Sequence, residues 1–145
     1  MEKLKYLSAR RPETLNWTET QHQEELFRWA KGEIEGGRTS LENLGTIPNG
    51  CRQVRWAAIG KRHWLGVRPG MPDVYFLVPR DGYHGLFVEL KSLKASAKVT
   101  LNQDECHERL RKNGYRVEVC YGFLDAIKAI DAYDNGSNSR NGRGL

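Results

Sequence analysis

At 145 residues with 39% hydrophobic content, the chain has the length of one domain with room for a sizeable core, and no apolar stretch reaches the length of a membrane span. A formal charge of +5 is compatible with a nucleic-acid partner without establishing one. Cys51, Cys106 and Cys120 are too widely spaced for a disulfide framework or a zinc cluster, and no apolar signal segment follows the charged N-terminus, so the expectation is a cytoplasmic protein with reduced thiols.

Residues 1–17 read as an irregular lead-in, interrupted by Arg10, Arg11 and Pro12. Thr18 with Gln21 three residues on is a capping-box pattern, opening a helix that runs to about Lys31 and stops at Gly32. Its apolar stripe contains Leu26, Phe27 and Ala30, with Trp29 alongside; Glu19 and Gln23 precede Phe27 at helical steps and extend the same stripe. Residues 32–50 are rich in Gly, Asn and Ser and read as a loop, ending in Ile47-Pro48-Asn49-Gly50. Apolar residues at helical spacing then predict a second helix over 52–65, with Gly66 as its stop.

Residues 74–78 form a short apolar run and 85–90 a second, separated by the turn residues Pro79-Arg80-Asp81-Gly82, which predicts a hairpin. Thr100-Leu101-Asn102-Gln103 is another capping-box pattern, opening a helix that turns Cys106 and Leu110 inward and ends at Asn113-Gly114. Residues 115–121 alternate like a strand, and 123 to about 133 is an amphipathic helix with Ile127 and Ile130 on its buried side. Residues 134–145 read as a flexible tail. Strand, helix and strand across residues 103–113 imply a crossover and a mixed sheet, so the fold class is α/β, with one domain over 18–133.

The stretch from Gly70 to Lys91 carries the chemistry. Asp73 opens the first strand and Glu89-Leu90-Lys91 closes the second. Residues two apart in a strand share a face, so Glu89 and Lys91 point the same way. Two carboxylates and an ammonium converging at the ends of paired strands can hold a divalent metal beside a polyanion, an arrangement suited to phosphodiester hydrolysis. Basic residues flank the carboxylates in sequence: Arg52, Arg55, Lys61, Arg62 and Arg68 before Asp73, and Lys94 and Lys98 after Lys91. The histidines His22, His63, His84 and His107 show no metal-binding pair at helical spacing, which disfavours a histidine-metal nuclease. No nucleophile elbow, phosphate-binding loop or dinucleotide fingerprint is present, so no nucleotide cofactor is expected.

Pro72-Asp73 and Glu89-Leu90-Lys91 resemble the signature of the PD-(D/E)XK nuclease superfamily. With Thr18-Glu19, Gln23, Ile47-Pro48-Asn49-Gly50, the Gly66-Val67 to Asp73 run, Gln103 and Gly114-Tyr115-Arg116-Val117 in order, the chain resembles the VRR-NUC branch in its small stand-alone phage and bacterial form. The resemblance spans roughly residues 18–133. It implies a restriction-endonuclease-like core, a mixed β-sheet flanked by helices, and an endonuclease dependent on Mg²⁺ or Mn²⁺ that leaves a 5′-phosphate and a 3′-hydroxyl. Asp73, Glu89, the Leu90 carbonyl and Glu19 would be metal ligands, the last directly or through water; Lys91 and Gln103 would join the carboxylates in catalysis. It also implies a homodimer acting on branched DNA such as a Holliday junction. Asn49, Arg52, Arg55, Arg62, Arg68, Lys94 and Lys98 are the candidate DNA contacts. Lys94-Ala95-Ser96-Ala97-Lys98 departs from the pattern in lacking the glycine that relatives often carry there.

Plainer roles compete at several positions. Glu19 complements the helix dipole, Gln103 completes a capping box, and Asn49 is ordinarily a turn residue. A non-catalytic nucleic-acid-binding module, or a phage scaffold protein that kept the fold, is the alternative function; the intact Asp73, Glu89 and Lys91 argue against it.

Overall fold

The structure, a computed structural model, describes residues 12–47, 66 and 68–136. The predicted helix over 52–65, together with Asn49, Arg52, Arg55 and Arg62, lies outside the described residues. In chain order come a 3₁₀ turn Pro12–Asn16, helix α1 Glu19–Glu35, a 3₁₀ turn Thr39–Asn43, strands β1 Leu44–Thr46, β2 Val74–Phe76 and β3 Leu86–Lys91, helix α2 Leu101–Lys112, strand β4 Arg116–Tyr121 and helix α3 Phe123–Asp134. The strands form one mixed sheet in the order β1-β2-β3-β4. The first three pair antiparallel, and β4 runs parallel to β3 after the α2 crossover. Among the described residues no helix is long and apolar enough to cross a membrane.

Both capping boxes form as predicted, with Thr18 and Thr100 each accepting from the backbone three residues on. The β2–β3 connection turns on Asp81 (φ 50°) and Gly82 (φ 84°), the positive dihedrals of a tight primed turn, with Arg80 and Tyr83 exchanging backbone hydrogen bonds.

Strand parity divides the sheet into two faces. Val74, Phe76, Leu86, Val88 and Leu90 face the main core, where they meet Leu26, Trp29 and Ala30 of α1 and Ala126, Ile127, Ile130 and Tyr133 of α3. Burial of each large side chain contributes about 1.5–3 kcal/mol, so this is the layer that holds the sheet flat against the helices. Glu89 and Lys91 point to the opposite face, where residues of α2 meet them. Every residue of β3 is therefore buried, charged ones included.

Several expectations change. Helix α1 runs through Gly32 to Glu35, because Ile34 packs against the core and Glu33 pairs with Arg38 (3.7 Å), offsetting the roughly 1 kcal/mol a mid-helix glycine costs. Within the stretch read as loop, Leu44–Thr46 is a strand: Gly45 lets the Tyr75 ring lie directly on the backbone, a contact that any Cβ would block. The lead-in is partly structured, with Thr14 buried and Trp17 stacked on Phe123. In α1, Trp29 is buried and Phe27 only half-buried; in α2, His107 rather than Leu110 is buried with Cys106. Helix α3 extends to Asp134, one residue into the stretch read as tail.

His22 was absent from the expected core, yet it is fully buried. Its Nδ1 accepts the Phe123 N–H (3.2 Å), capping a helix whose own N-cap, Gly122, has no side chain to do so. Burial holds its pKa below the ordinary histidine value, against an interaction of the ring N–H with the Thr14 backbone carbonyl, which raises it.

Candidate active site

The site forms where the end of β3 meets the residue preceding β2 and the first turn of α2. Strand pairing sets Val74 opposite Val88, so Asp73, just before β2, comes beside the Glu89–Leu90 step. The Leu90 N–H donates to Asp73 Oδ2 (3.0 Å), and the Asp73 carbonyl accepts from the Ile47 N–H and the Thr46 hydroxyl, both at 2.8 Å. Gln23 of α1 donates to that same hydroxyl (3.1 Å). Asp73 is thus held at both its side chain and its backbone.

Glu89 and Lys91 share a face and lie 3.6 Å apart, Lys91 Nζ to Glu89 Oε1, both nearly without solvent exposure. Gln103 locks the pair: its Oε1 accepts from Lys91 Nζ (3.0 Å) and its Nε2 donates to Glu89 Oε1 (2.8 Å). The same Oε1 also accepts the Thr100 N–H (2.9 Å), so the capping role and the site role of Gln103 are one contact set rather than alternatives.

Asp73 and Glu89 face each other closely. Burial first, then the Glu89 charge and a carboxyl–carboxyl hydrogen bond, push the Asp73 pKa up to about 7, while the Leu90 N–H opposes the rise. Two partly dehydrated carboxylates in this state carry uncompensated negative charge that a cation would relieve. Their hard oxygen donors fit Mg²⁺ or Mn²⁺, and Asp73, Glu89 and the Leu90 carbonyl are the groups that would hold it.

Glu19 is exposed, yet its charge adds to the rise at Asp73, which places it on the Asp73 side of the site. It does not complete a cluster: among the described residues, no three His, Cys, Asp or Glu side chains gather as a metal-holding group. Arg68, Lys94 and Lys98 are exposed on the segments that enter and leave the site in sequence.

Two participants went unread in the sequence. Thr46 belongs to the strand hidden in the loop-like stretch. His107 reads in sequence as one of four scattered histidines, although it lies one helical turn after Gln103 and hence on the same face. Helical phase counted from Gln103 is the signal that would have found it.

The family model for the VRR-NUC domain matches residues 8–124. A solved protein described as a VRR_NUC domain protein is 31% identical, with a TM-score of 0.68 over 83% of this chain and 90% of its own. None of the curated proteins matches. The family match spans most of the chain, and a mixed sheet flanked by helices is shared with the solved relative: the chain belongs to the VRR-NUC family, a nuclease-type domain.

Proposed function

We propose that the protein is a Mg²⁺- or Mn²⁺-dependent DNA endonuclease, acting as a homodimer on branched DNA. The observation that supports it best is the Asp73–Glu89 carboxylate pair with Lys91 and Gln103 packed against it. A bound divalent cation would supply positive charge against the phosphate and acidify a nearby water. Asp73 and Glu89, with the Leu90 carbonyl, would hold that charge in place, with Glu19 contributing directly or through water. Lys91 orients the attacking water and offsets charge growing on the phosphate, while Gln103 keeps the Lys91 ammonium at its post. Arg68, Lys94 and Lys98, with Asn49, Arg52, Arg55 and Arg62, grip the DNA backbone without reading sequence, so binding weakens steeply with salt.

The test is cleavage of labelled four-way junction, flap, single-stranded and linear duplex DNA in Mg²⁺, Mn²⁺ or EDTA. Wild type is expected to cut the junction only with metal, and Lys91→Ala to be slower by about 100- to 1000-fold with little change in DNA affinity. Tight junction binding without cutting in either metal would establish a binding module instead. Failure both to bind and to cut would point to a scaffold role.

A further inference from the structure

Apart from the hydrogen bond it shares with the Asp73 carboxyl, Glu89 is gripped on one oxygen only. Oε1 has Gln103 Nε2 at 2.8 Å and Lys91 Nζ at 3.6 Å, whereas no hydrogen-bond partner reaches Oε2. The residue is 1% exposed, so bulk water does not make up the difference. Opposite Oε2, at 3.5 Å, stands Nε2 of His107, also 1% exposed and also without a hydrogen-bond partner. Buried polar atoms left unpaired are rare, and two of them facing each other form a donor and an acceptor that satisfy one another. A shift of a few tenths of an ångström brings them to ordinary hydrogen-bond distance. Gln103 and His107 are four residues apart on α2, one above the other on a single helix face, so one rigid element reaches both oxygens of Glu89.

From this geometry we propose that His107 is a positioning residue: its Nε2–H donates to Glu89 Oε2 and, with Gln103 on Oε1, fixes the plane of the carboxylate. Each carboxylate oxygen retains a second lone pair, so a carboxylate held on both oxygens still has lone pairs to offer a cation. Holding it fixed in advance removes the cost of orienting it when the cation arrives, and loss of such a partner typically lowers metal affinity about 10- to 100-fold. This role rests on the nuclease reading given above, while the hydrogen bond itself does not.

The first measurement is the protonation of His107 in the metal-free protein, by long-range proton–nitrogen NMR. A proton on Nε2 is expected; a bare Nε2, the state a metal ligand or a hydrogen-bond acceptor requires, would overturn the proposal. The second compares His107→Leu, which fills the space without a donor, with His107→Gln, which can return an N–H to the same place. Calorimetric titration with Mn²⁺ should show affinity about 10- to 100-fold weaker in His107→Leu and largely restored in His107→Gln. Cleavage should follow in kcat, with KM for junction DNA unchanged. Wild-type affinity in His107→Leu, or equal loss in both variants, would reduce His107 to packing. Wild-type protein that neither binds Mn²⁺ nor cuts would overturn the nuclease reading and the positioning role together, whereas metal-dependent cutting by wild type with an unaffected His107→Leu overturns the positioning role alone.

Discussion

Asp73 bears the electrostatic cost of the site. Its folded pKa of about 7 exceeds the ordinary carboxyl value of 3.8, so the stability it contributes is fully present below about pH 4 and is lost as pH rises through 7. The metal-free protein is therefore weakened near neutral pH by its own carboxylate pair, and a bound cation should reverse that. Asp73→Asn keeps an oxygen for the Leu90 N–H and removes the charge. It should raise the metal-free stability above pH 7 by about 1–2 kcal/mol, while abolishing stabilisation by Mn²⁺. In wild type, Mn²⁺ affinity should climb between about pH 6 and pH 8, because the cation competes with the proton on the pair. Thermal melts and calorimetry across that range check both statements; a flat affinity profile would mean that Asp73 does not take part in binding the ion.

The start of α2 is the element on which the site depends most. Thr100 and Gln103 begin the helix by capping each other, and the Gln103 amide then reaches Lys91 and Glu89, so the helix terminus and the candidate site share atoms. Against this turn lies Gly70, at φ 80°, with its α-carbon so close to the Asn102 carbonyl and the Gln103 N–H that a side chain there would collide with backbone. Gly70 therefore couples the segment leading to Asp73 with the helix that presents Gln103. Gly70→Ala should cost about 1–3 kcal/mol from the strained dihedral alone. The collision adds displacement of Gln103, so cleavage should fall more than stability explains. Equal melting temperatures for Gly70→Ala and wild type would show that the two segments are not so tightly joined.

Segments far apart in sequence are tied together away from the site. Asp134, at the end of α3, accepts from Arg38 Nε and Nη2 (3.1 and 3.0 Å), from the Ser40 hydroxyl (2.8 Å) and from Arg80 Nη2 (3.0 Å). Three separate segments, the end of α1 with its 3₁₀ turn, the β2–β3 hairpin and α3, thus meet at one carboxylate that is 8% exposed. Burial alone would raise its pKa, but Ser40, Arg38 and Arg80 hold it below the ordinary carboxylate value. A depressed folded pKa gives stability that is present above about pH 4 and is lost as pH falls through the folded value. Asp134→Ala leaves two partly buried guanidiniums short of a partner and should cost about 2–3 kcal/mol. The measurable result is a melting temperature lower by roughly 5–10 °C with cleavage little changed at permissive temperature. An unchanged melting temperature would show that the network contributes no net stability.

Local chemistry was legible in the sequence wherever it depended on near neighbours. The Thr18 and Thr100 capping boxes, the Asp81-Gly82 turn and the shared face of Glu89 and Lys91 follow from spacings of one to three residues, and the structure has each of them. Asp73, Glu89, Lys91 and Gln103 stand out by family pattern as much as by chemistry, and the fold brings those four together. What the sequence did not disclose depends on distant partners. Leu44–Thr46 becomes a strand because the Tyr75 ring needs Gly45 beneath it, and α1 passes Gly32 because Ile34 finds a core. His22 and His107 look alike as isolated residues; one caps α3 across 101 positions and the other faces Glu89. Hydrogen-bond geometry within a turn is set by adjacent dihedrals, so residue order determines it. Burial, dehydration and the charge felt by a carboxylate are set by whichever segments pack against it, and only the tertiary structure decides those.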